Sequence, residues 1–265
     1  MNILVCVKQV PDTTEIKIDP IKNTLIRAGV PSILNPFDAY ALELAVRIKE
    51  SNGGSITVLS MGPPQAKAAL KECLSVGADK AILVSDRVFG GSDTLATSYI
   101  LSTTIKAIED KTEKFDLILC GKQAIDGDTG QVGTEIAEHL DYPQVTYAAD
   151  ITVDGEVVRV KRENEDHHEI IEVKCPAVIT VIKTEYEPRY ATIRSKMAAN
   201  KVKIPTMIAS DLEIDLERVG LKGSPTKVKK TFVPQHKKTG IKIKGETASE
   251  SALKLISLLS DASLI

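Results

Sequence analysis

Leu117-Ile118-Leu119-Cys120 runs directly into Gly121-Lys122-Gln123-Ala124-Ile125-Asp126-Gly127-Asp128-Thr129-Gly130-Gln131-Val132-Gly133, and a helical pattern then continues to Leu140. A short aliphatic run bounded by turn residues reads as a buried parallel strand. The carboxyl end of such a strand, where it opens into a helix, is where open α/β sheets bind ligands. Gly121, Gly127, Gly130 and Gly133 permit unusual backbone angles and close approach of a ligand. Successive amides at the start of a helix suit phosphate oxygens. Thr129 and Gln131 add side-chain hydrogen bonds, Lys122 adds positive charge, and the helix is expected from about Gln131, with Val132 beside it also at the site. Asp126 and Asp128 would repel a phosphate, so they either cap the helix or bind ribose hydroxyls.

Working outward, Ile3–Val7, Ile56–Ser60 and Ala81–Val84 have the same aliphatic, β-branched character. Amphipathic segments separate them. Asn35-Pro36-Phe37-Asp38 opens one helix, with Asn35 as cap, Pro36 at the first position and Asp38 in the positive first turn. A second follows Pro63-Pro64 and ends at Gly77, and a third starts near Ser92-Asp93. Repeated strand–helix units predict an α/β fold: a doubly wound, mainly parallel sheet with helices on both faces. In such a sheet the strand ends gather along one edge. Cys6, Val7 and Lys8, then Asn35 and Asp38, then Ser60, Met61 and Gly62, then Asp93, Thr94 and Thr97 therefore face the same crevice as the Gly121–Gly133 loop. Together they suit an adenine, a ribose and a diphosphate. The Gly-x-Gly-x-x-Gly and Gly-x-x-x-x-Gly-Lys-Ser/Thr fingerprints are both absent.

After Tyr142-Pro143 the pattern changes. Segments 145–153, 156–163, 169–174 and 177–183 read as short strands, with a hairpin turn at Asp154-Gly155. They are expected to extend the sheet or to form an antiparallel flap over 145–183. From Thr184 the chain reads as irregular. Leu221–Glu246 holds eight Lys, one Glu and no Asp, and reads as an extended arm. Thr247-Ala248-Ser249-Glu250 resembles a capping box ahead of a short helix bearing Leu253, Leu255, Ile256, Leu258 and Leu259. That apolar helix either folds back on its own domain or wraps around another subunit. The expected division is a nucleotide-binding α/β domain over 1–205 and a C-terminal arm and helix over 206–265.

Composition narrows the class. The chain has 265 residues, 34 Lys+Arg against 36 Asp+Glu and a net charge of -2, which argues against a protein held to nucleic acid by phosphate contacts. No apolar run approaches membrane-spanning length, and Met1–Lys8 lacks the order of a secretory signal. A cytoplasmic protein with no membrane insertion is expected. Cys6, Cys73, Cys120 and Cys175 lie far apart, so an iron–sulfur or zinc site is not expected. No triad or paired-carboxylate motif appears, which leaves no side chain marked as catalytic.

Val5-Cys6-Val7-Lys8-Gln9-Val10-Pro11, Asn35-Pro36-Phe37, the Gly121–Gly133 loop and Pro188-Arg189-Tyr190-Ala191-Thr192 closely resemble the β subunits of electron transfer flavoproteins, over essentially the full length. The resemblance implies a heterodimer with a larger α subunit that holds a FAD, and an arm reaching around that partner. One branch of the family binds AMP structurally in the β subunit, and the electron-bifurcating branch binds a second FAD there. Asp126–Gly133 and Ser92–Ser98 are similar to the bifurcating branch. That branch implies FAD in this chain, reduced by NADH, with electrons divided between ferredoxin and a flavin dehydrogenase of acyl-CoA or lactate type. The Asp86–Gly91 loop is expected to line the flavin with Asp93 and Thr94. The resemblance also assigns partner recognition to the loop over 186–200, through Arg189, Tyr190, Ile193 and Met197, with Ile193 the inserted side chain. The alternatives are an AMP-binding, non-bifurcating subunit, a non-redox adenine-nucleotide regulatory module, and an ATP-using enzyme on the same layered fold.

Overall fold

The computed structural model describes residues 1–12, 31–155, 157–229 and 240–265. Strand β1 is Asn2–Cys6, followed by β2 (Gln9–Pro11), β3 (Ser32–Leu34) and helix α1 (Pro36–Asn52). Then come β4 (Ser55–Met61), α2 (Lys67–Val76), β5 (Lys80–Val84), α3 (Thr94–Glu109), β6 (Leu117–Gly121) and α4 (Val132–Leu140). The remainder of the first unit comprises β7 (Gln144–Asp154), β8 (Val157–Glu163), β9 (His168–Lys174), β10 (Ala177–Val181), α5 (Ile193–Lys201), β11 (Thr206–Met207) and the short α6 (Gly220–Gly223). Contacts divide the chain into Met1–Lys229 and Lys230–Ile265, and α7 (Ala248–Asp261) belongs to the second unit.

Nine strands form one sheet in the order β11-β5-β4-β1-β6-β10-β7-β8-β9. β1 pairs in parallel with β4 on one side and β6 on the other. The chain thus winds outward from β1 in one direction through β4 and β5, then returns to β1 and winds the other way. Alternation along β1 separates the two faces, because successive strand side chains point oppositely. Ile3 and Val5 join the core beneath α1 and α2, with Leu42, Leu44 and Leu70. Leu4 and Cys6 join the core beneath α3 and α4, with Ile100, Ile105 and Ile136. Burying each such side chain contributes about 1.5–3 kcal/mol before ordering costs.

Several expectations change on inspection. Residues 145–183 are not a purely antiparallel flap. β10 lies within the parallel sheet between β6 and β7, and β7 leaves that sheet only in its second half, to pair antiparallel with β8. The chain is not irregular from Thr184: α5 is a helix capped by Thr192, whose hydroxyl accepts from the Ser195 amide. Residues 206–229 belong with the first unit by their contacts, β11 adding to the sheet edge beside β5. Of the expected arm over Leu221–Glu246, its first residues close α6, and 230–239 lie outside the described residues.

In the second unit Thr247 caps α7 by accepting from the Glu250 amide, while the Glu250 carboxylate accepts from the Glu246 amide rather than from Thr247. Leu253, Leu255, Ile256 and Leu258 on this helix are all exposed. No helix among the described residues is long and apolar enough to cross a membrane.

Candidate functional site

A cleft of about 400 Å³ opens at the carboxyl ends of β1, β4 and β6. This is the point where the winding of the sheet reverses, the place where such sheets take ligands. Its floor is Cys6, Val7 and Lys8 from β1, Leu59 and Met61 from β4, and Cys120 and Gly121 from β6. One wall is the Gly121–Gly133 loop and the start of α4. The opposite wall is the start of α3, where Asp93, Thr94 and Thr97 line the cleft with Ser92 and Leu101.

The start of α4 reaches the cleft because the helix lies hard against the sheet. A Cβ on Gly133 would stand 2.6 Å from Thr180 Cγ2 and 3.3 Å from Cys120 Cβ, so only glycine allows that approach. The amides of the first helical turn have no carbonyl one turn earlier to bond. They carry the positive end of the helix dipole and suit an anion.

The carboxylates around the cleft are occupied by the protein itself. Asp38 is buried, and its Oδ2 accepts from the Lys8 amide at 2.7 Å and its Oδ1 from the Gly121 amide at 3.1 Å. Burial pushes the Asp38 carboxyl up to about 7, against the lowering effect of hydrogen bonds from Asn35, Lys8 and Gly121. Asp93 caps α3 by accepting from the Ala96 amide at 3.0 Å, and its second oxygen accepts from the Thr226 amide at 2.9 Å. Burial raises the Asp93 carboxyl, but these amide bonds outweigh it and hold the group below the usual range. Lys8 Nζ donates to both oxygens of Asp126, at 2.7 and 2.9 Å. Asp128 takes a left-handed backbone and accepts from the Gln123 side chain. On the floor, the hydrogen-bonded pairing with the Cys6 thiol, then burial, raises the Cys120 thiol well above its usual range.

Most of the residues singled out in the sequence therefore meet here. Cys6, Val7, Lys8, Asp38, Met61, Asp93, Thr94, Thr97, Gly121, Lys122, Gln123, Gly127, Thr129, Gly130, Gln131 and Val132 all line the cleft. Asn35, Ser60, Gly62, Asp126 and Asp128 stand outside the lining. Asn35 does not cap α1 with its side chain. Its Nδ2 donates to the Gln123 carbonyl at 2.9 Å, and its Oδ1 accepts from the Ile125 amide at 3.2 Å. Ser60 is buried within β4, and the Gly62 amide donates to the Val84 carbonyl. The Asp86–Gly91 loop does not line the cleft either. Asp86 accepts from the Val88 and Ala209 amides, and Phe89 is buried.

Leu59, Leu101, Cys120 and Thr226 line the cleft without having been anticipated. The first three read as ordinary core residues in the sequence. Thr226 returns from a distant segment whose only local signal is the Gly223-Ser224-Pro225 turn.

The proposed recognition residues are apart from this lining. Tyr190 is 98% exposed and Ile193 82% exposed, and Met197 is exposed as well. Arg189 differs from them, being anchored by its side chain to Glu43 and Glu50 on α1.

The family model described as electron transfer flavoprotein domain matches residues 22–212. A protein of Megasphaera elsdenii named electron transfer flavoprotein subunit beta is 54% identical over 256 residues, covering 96% of this chain and 95% of that one. The chain belongs to the electron transfer flavoprotein family, as a β subunit. It is also 49% identical over 266 residues to the caffeyl-CoA reductase-Etf complex subunit CarD of Acetobacterium woodii, with both chains fully covered. The acryloyl-CoA reductase electron transfer subunit gamma of Anaerotignum propionicum is 45% identical over 251 residues, covering 92% of this chain and 93% of that one. The α/β layering is thus that of an electron-transport subunit.

Proposed function

We propose that the cleft binds FAD and that this chain is the β subunit of an electron-bifurcating flavoprotein. The observation that supports the reading is the donor set. Main-chain amides at the start of α4, Thr97, Thr129 and Lys122 line one cleft with Thr94, whose hydroxyl donates to Gln131 and Glu135, while the carboxylates of Asp38 and Asp93 are turned onto protein amides. A diphosphate meets donors there rather than free acids. The fit also agrees with the names of the relatives, two of which belong to acyl-CoA reductase systems.

The chemistry a flavin supplies when bound is hydride acceptance from NADH and release of single electrons, one to ferredoxin and one through an α-subunit FAD to a flavin dehydrogenase. The protein's part is to hold and to orient. The Gly121–Gly133 loop and the start of α3 grip the adenosine diphosphate portion. Cys6, Leu59, Leu101 and Cys120 make the floor apolar and keep water from it. Tyr190, Ile193 and Met197 offer an exposed apolar group for the dehydrogenase, of acyl-CoA or lactate type. The exposed leucines and isoleucine of α7 suit burial against the α subunit. A reaction driven by NADH agrees with a cytoplasmic location.

The test is the absorbance spectrum and extracted nucleotide of the purified heterodimer. Two FAD per heterodimer is the expected result. One FAD with AMP would establish the non-bifurcating reading instead, and ATP without flavin would remove both redox readings. Replacing Thr94 and Thr97 together by Ala should lower flavin content per complex, and unchanged content would overturn their placement against FAD.

A further inference from the structure

The cleft is formed by loops from two separate strands, the end of β1 at Lys8 and the end of β6 at Gly121. Direct pairing of β1 with β6 stops at Cys6 and Cys120, although Gly121 stays paired with Val181 of β10. Beyond that point α1 takes over. Its residue Asp38 receives the Lys8 amide on one oxygen and the Gly121 amide on the other. Asn35, immediately before α1, accepts the Ile125 amide and donates to the Gln123 carbonyl, while its own amide donates to the Lys8 carbonyl at 2.9 Å. A Cβ on Gly121 would lie 2.3 Å from Asp38 Oδ1 and 2.8 Å from the Asp38 amide nitrogen, so the fit admits nothing larger.

We infer that Asp38 is a positioning residue: its ionised carboxylate clasps the two cleft-forming loops through the Lys8 and Gly121 amides and so fixes the width of the nucleotide cleft. The inference deepens the proposed function, on which its relevance to FAD rests. The clasp itself is a property of the free chain.

The chemistry of the group supports this. A carboxylate presents lone pairs on both oxygens, whereas an amide or a protonated acid presents a donor on one side. An amide in place of the acid sets its NH2 donor against one of the two backbone amides. Hydrogen bonds to a charged acceptor are also the stronger kind. The titratable groups facing Asp38 are Lys8 from the end of β1, Cys73 from α2 and Cys120 from β6. Burial raises the Cys73 thiol, and pairing with Cys6 raises that of Cys120, so both stay neutral. Lys8 is the one opposite charge among them, and its ammonium is engaged by Asp126.

The test compares the full chain with Asp38→Asn and Asp38→Glu by amide hydrogen exchange resolved at Lys8 and Gly121, and by titration with ADP. At pH 8, Asp38→Asn should speed exchange at those two amides by roughly tenfold or more and weaken ADP by roughly tenfold, as expected for losing a charge-assisted bond. Exchange at Val5 and Leu119, inside the strands, should not change. Asp38→Glu should restore part of the protection. Unchanged exchange in Asp38→Asn, a loss spread evenly over β1 and β6, or ADP binding as tight as in the unmutated chain would overturn the clasp. Because exchange is read on the free chain, finding AMP rather than FAD in the heterodimer would defeat the proposed function and leave the clasp standing.

Discussion

The Arg189 guanidinium closes on the Glu43 carboxylate with two side-chain hydrogen bonds, at 2.8 and 3.0 Å, and the Arg189 amide donates to the same carboxylate at 3.1 Å. Glu43 is only 5% exposed, so this is a charge held inside the protein by a single fork. The bonds from Glu43 and Glu50 also hold Arg189 protonated throughout the accessible pH range. The relationship ties the segment that carries Tyr190 and Ile193 to α1, the same helix that begins at the nucleotide cleft.

Arg189→Ala should therefore destabilise the chain by about 3 kcal/mol, because it leaves the buried Glu43 carboxylate with only the looser Arg47 contact, at 4.0 Å, in place of the fork. For a domain of this size that corresponds to a fall in Tm of roughly 6–12 °C. Thermal unfolding measures it. Arg189→Lys, which keeps the charge and loses the fork, should fall between the two. A Tm unchanged by Arg189→Ala would show that the pair carries no net stability.

Ile193 stands in contrast, exposed at the start of α5. Ile193→Ala should leave stability within about 0.5 kcal/mol. It should slow reduction of the partner dehydrogenase by roughly tenfold, as loss of an apolar anchor does. Reduction of the complex by NADH should keep its rate. Equal loss of both rates in stopped-flow measurements would remove Ile193 from partner recognition.

Asp38 gives a pH dependence of stability whose sign follows from its burial. Its carboxyl is raised from 3.8 to about 7 on folding, so the folded chain holds the proton more tightly than the unfolded one. The stabilisation is fully present below pH 3.8 and is lost as pH rises through about 7. The amount is on the order of a few kcal/mol. Tm should therefore decline between pH 5 and 8 more steeply in the unmutated chain than in Asp38→Asn. Parallel profiles would show that Asp38 does not titrate in that window.

Two glycines of the same loop separate folding from binding. A Cβ on Gly127 meets nothing within 4 Å, whereas one on Gly133 collides with Thr180. Gly133→Ala should push α4 off the sheet, cost about 1–3 kcal/mol and lower flavin content with it. Gly127→Ala should leave Tm unchanged. Any loss of flavin from Gly127→Ala then reports a ligand close to that backbone, measured by flavin retained after desalting.

The parts of the fold that the sequence exposed are those in which local chemistry and tertiary role coincide. Ile3–Val7 and Leu117–Cys120 are apolar at every position because both faces of a parallel sheet are covered, and that signature is local. The Gly121–Gly133 loop announces itself by glycines at a strand end. Asn35 misled because a helix-capping residue and a residue bonding across the fold have the same one-dimensional pattern, while Asp38 lies in the first turn of α1 as expected but bonds across the fold as well. The deciding partners of Asp38, Lys8 and Gly121, lie 30 and 83 residues away. α5 was hidden for a different reason. Only Ala199 is buried on it, so no apolar period marks it, and Thr192 as a cap was its one local sign. Thr226 reaches the cleft through Asp93, 133 residues earlier, a pairing that no nearby residue encodes.

β9 has one strand neighbour among the described residues, β8, so its other side presents main-chain donors and acceptors with no strand to satisfy them. Such a border invites a second chain to add on and propagate. Here the two outermost strands are laced with ions: Arg159 stands opposite Glu172 and Arg162 opposite Glu169, each pair bridged across the ladder. A like border approaching from another copy would bring Glu169 and Glu172 toward their own counterparts. Charged side chains on such a border disfavour that addition, even though Ile170 on the same strand is left bare to solvent.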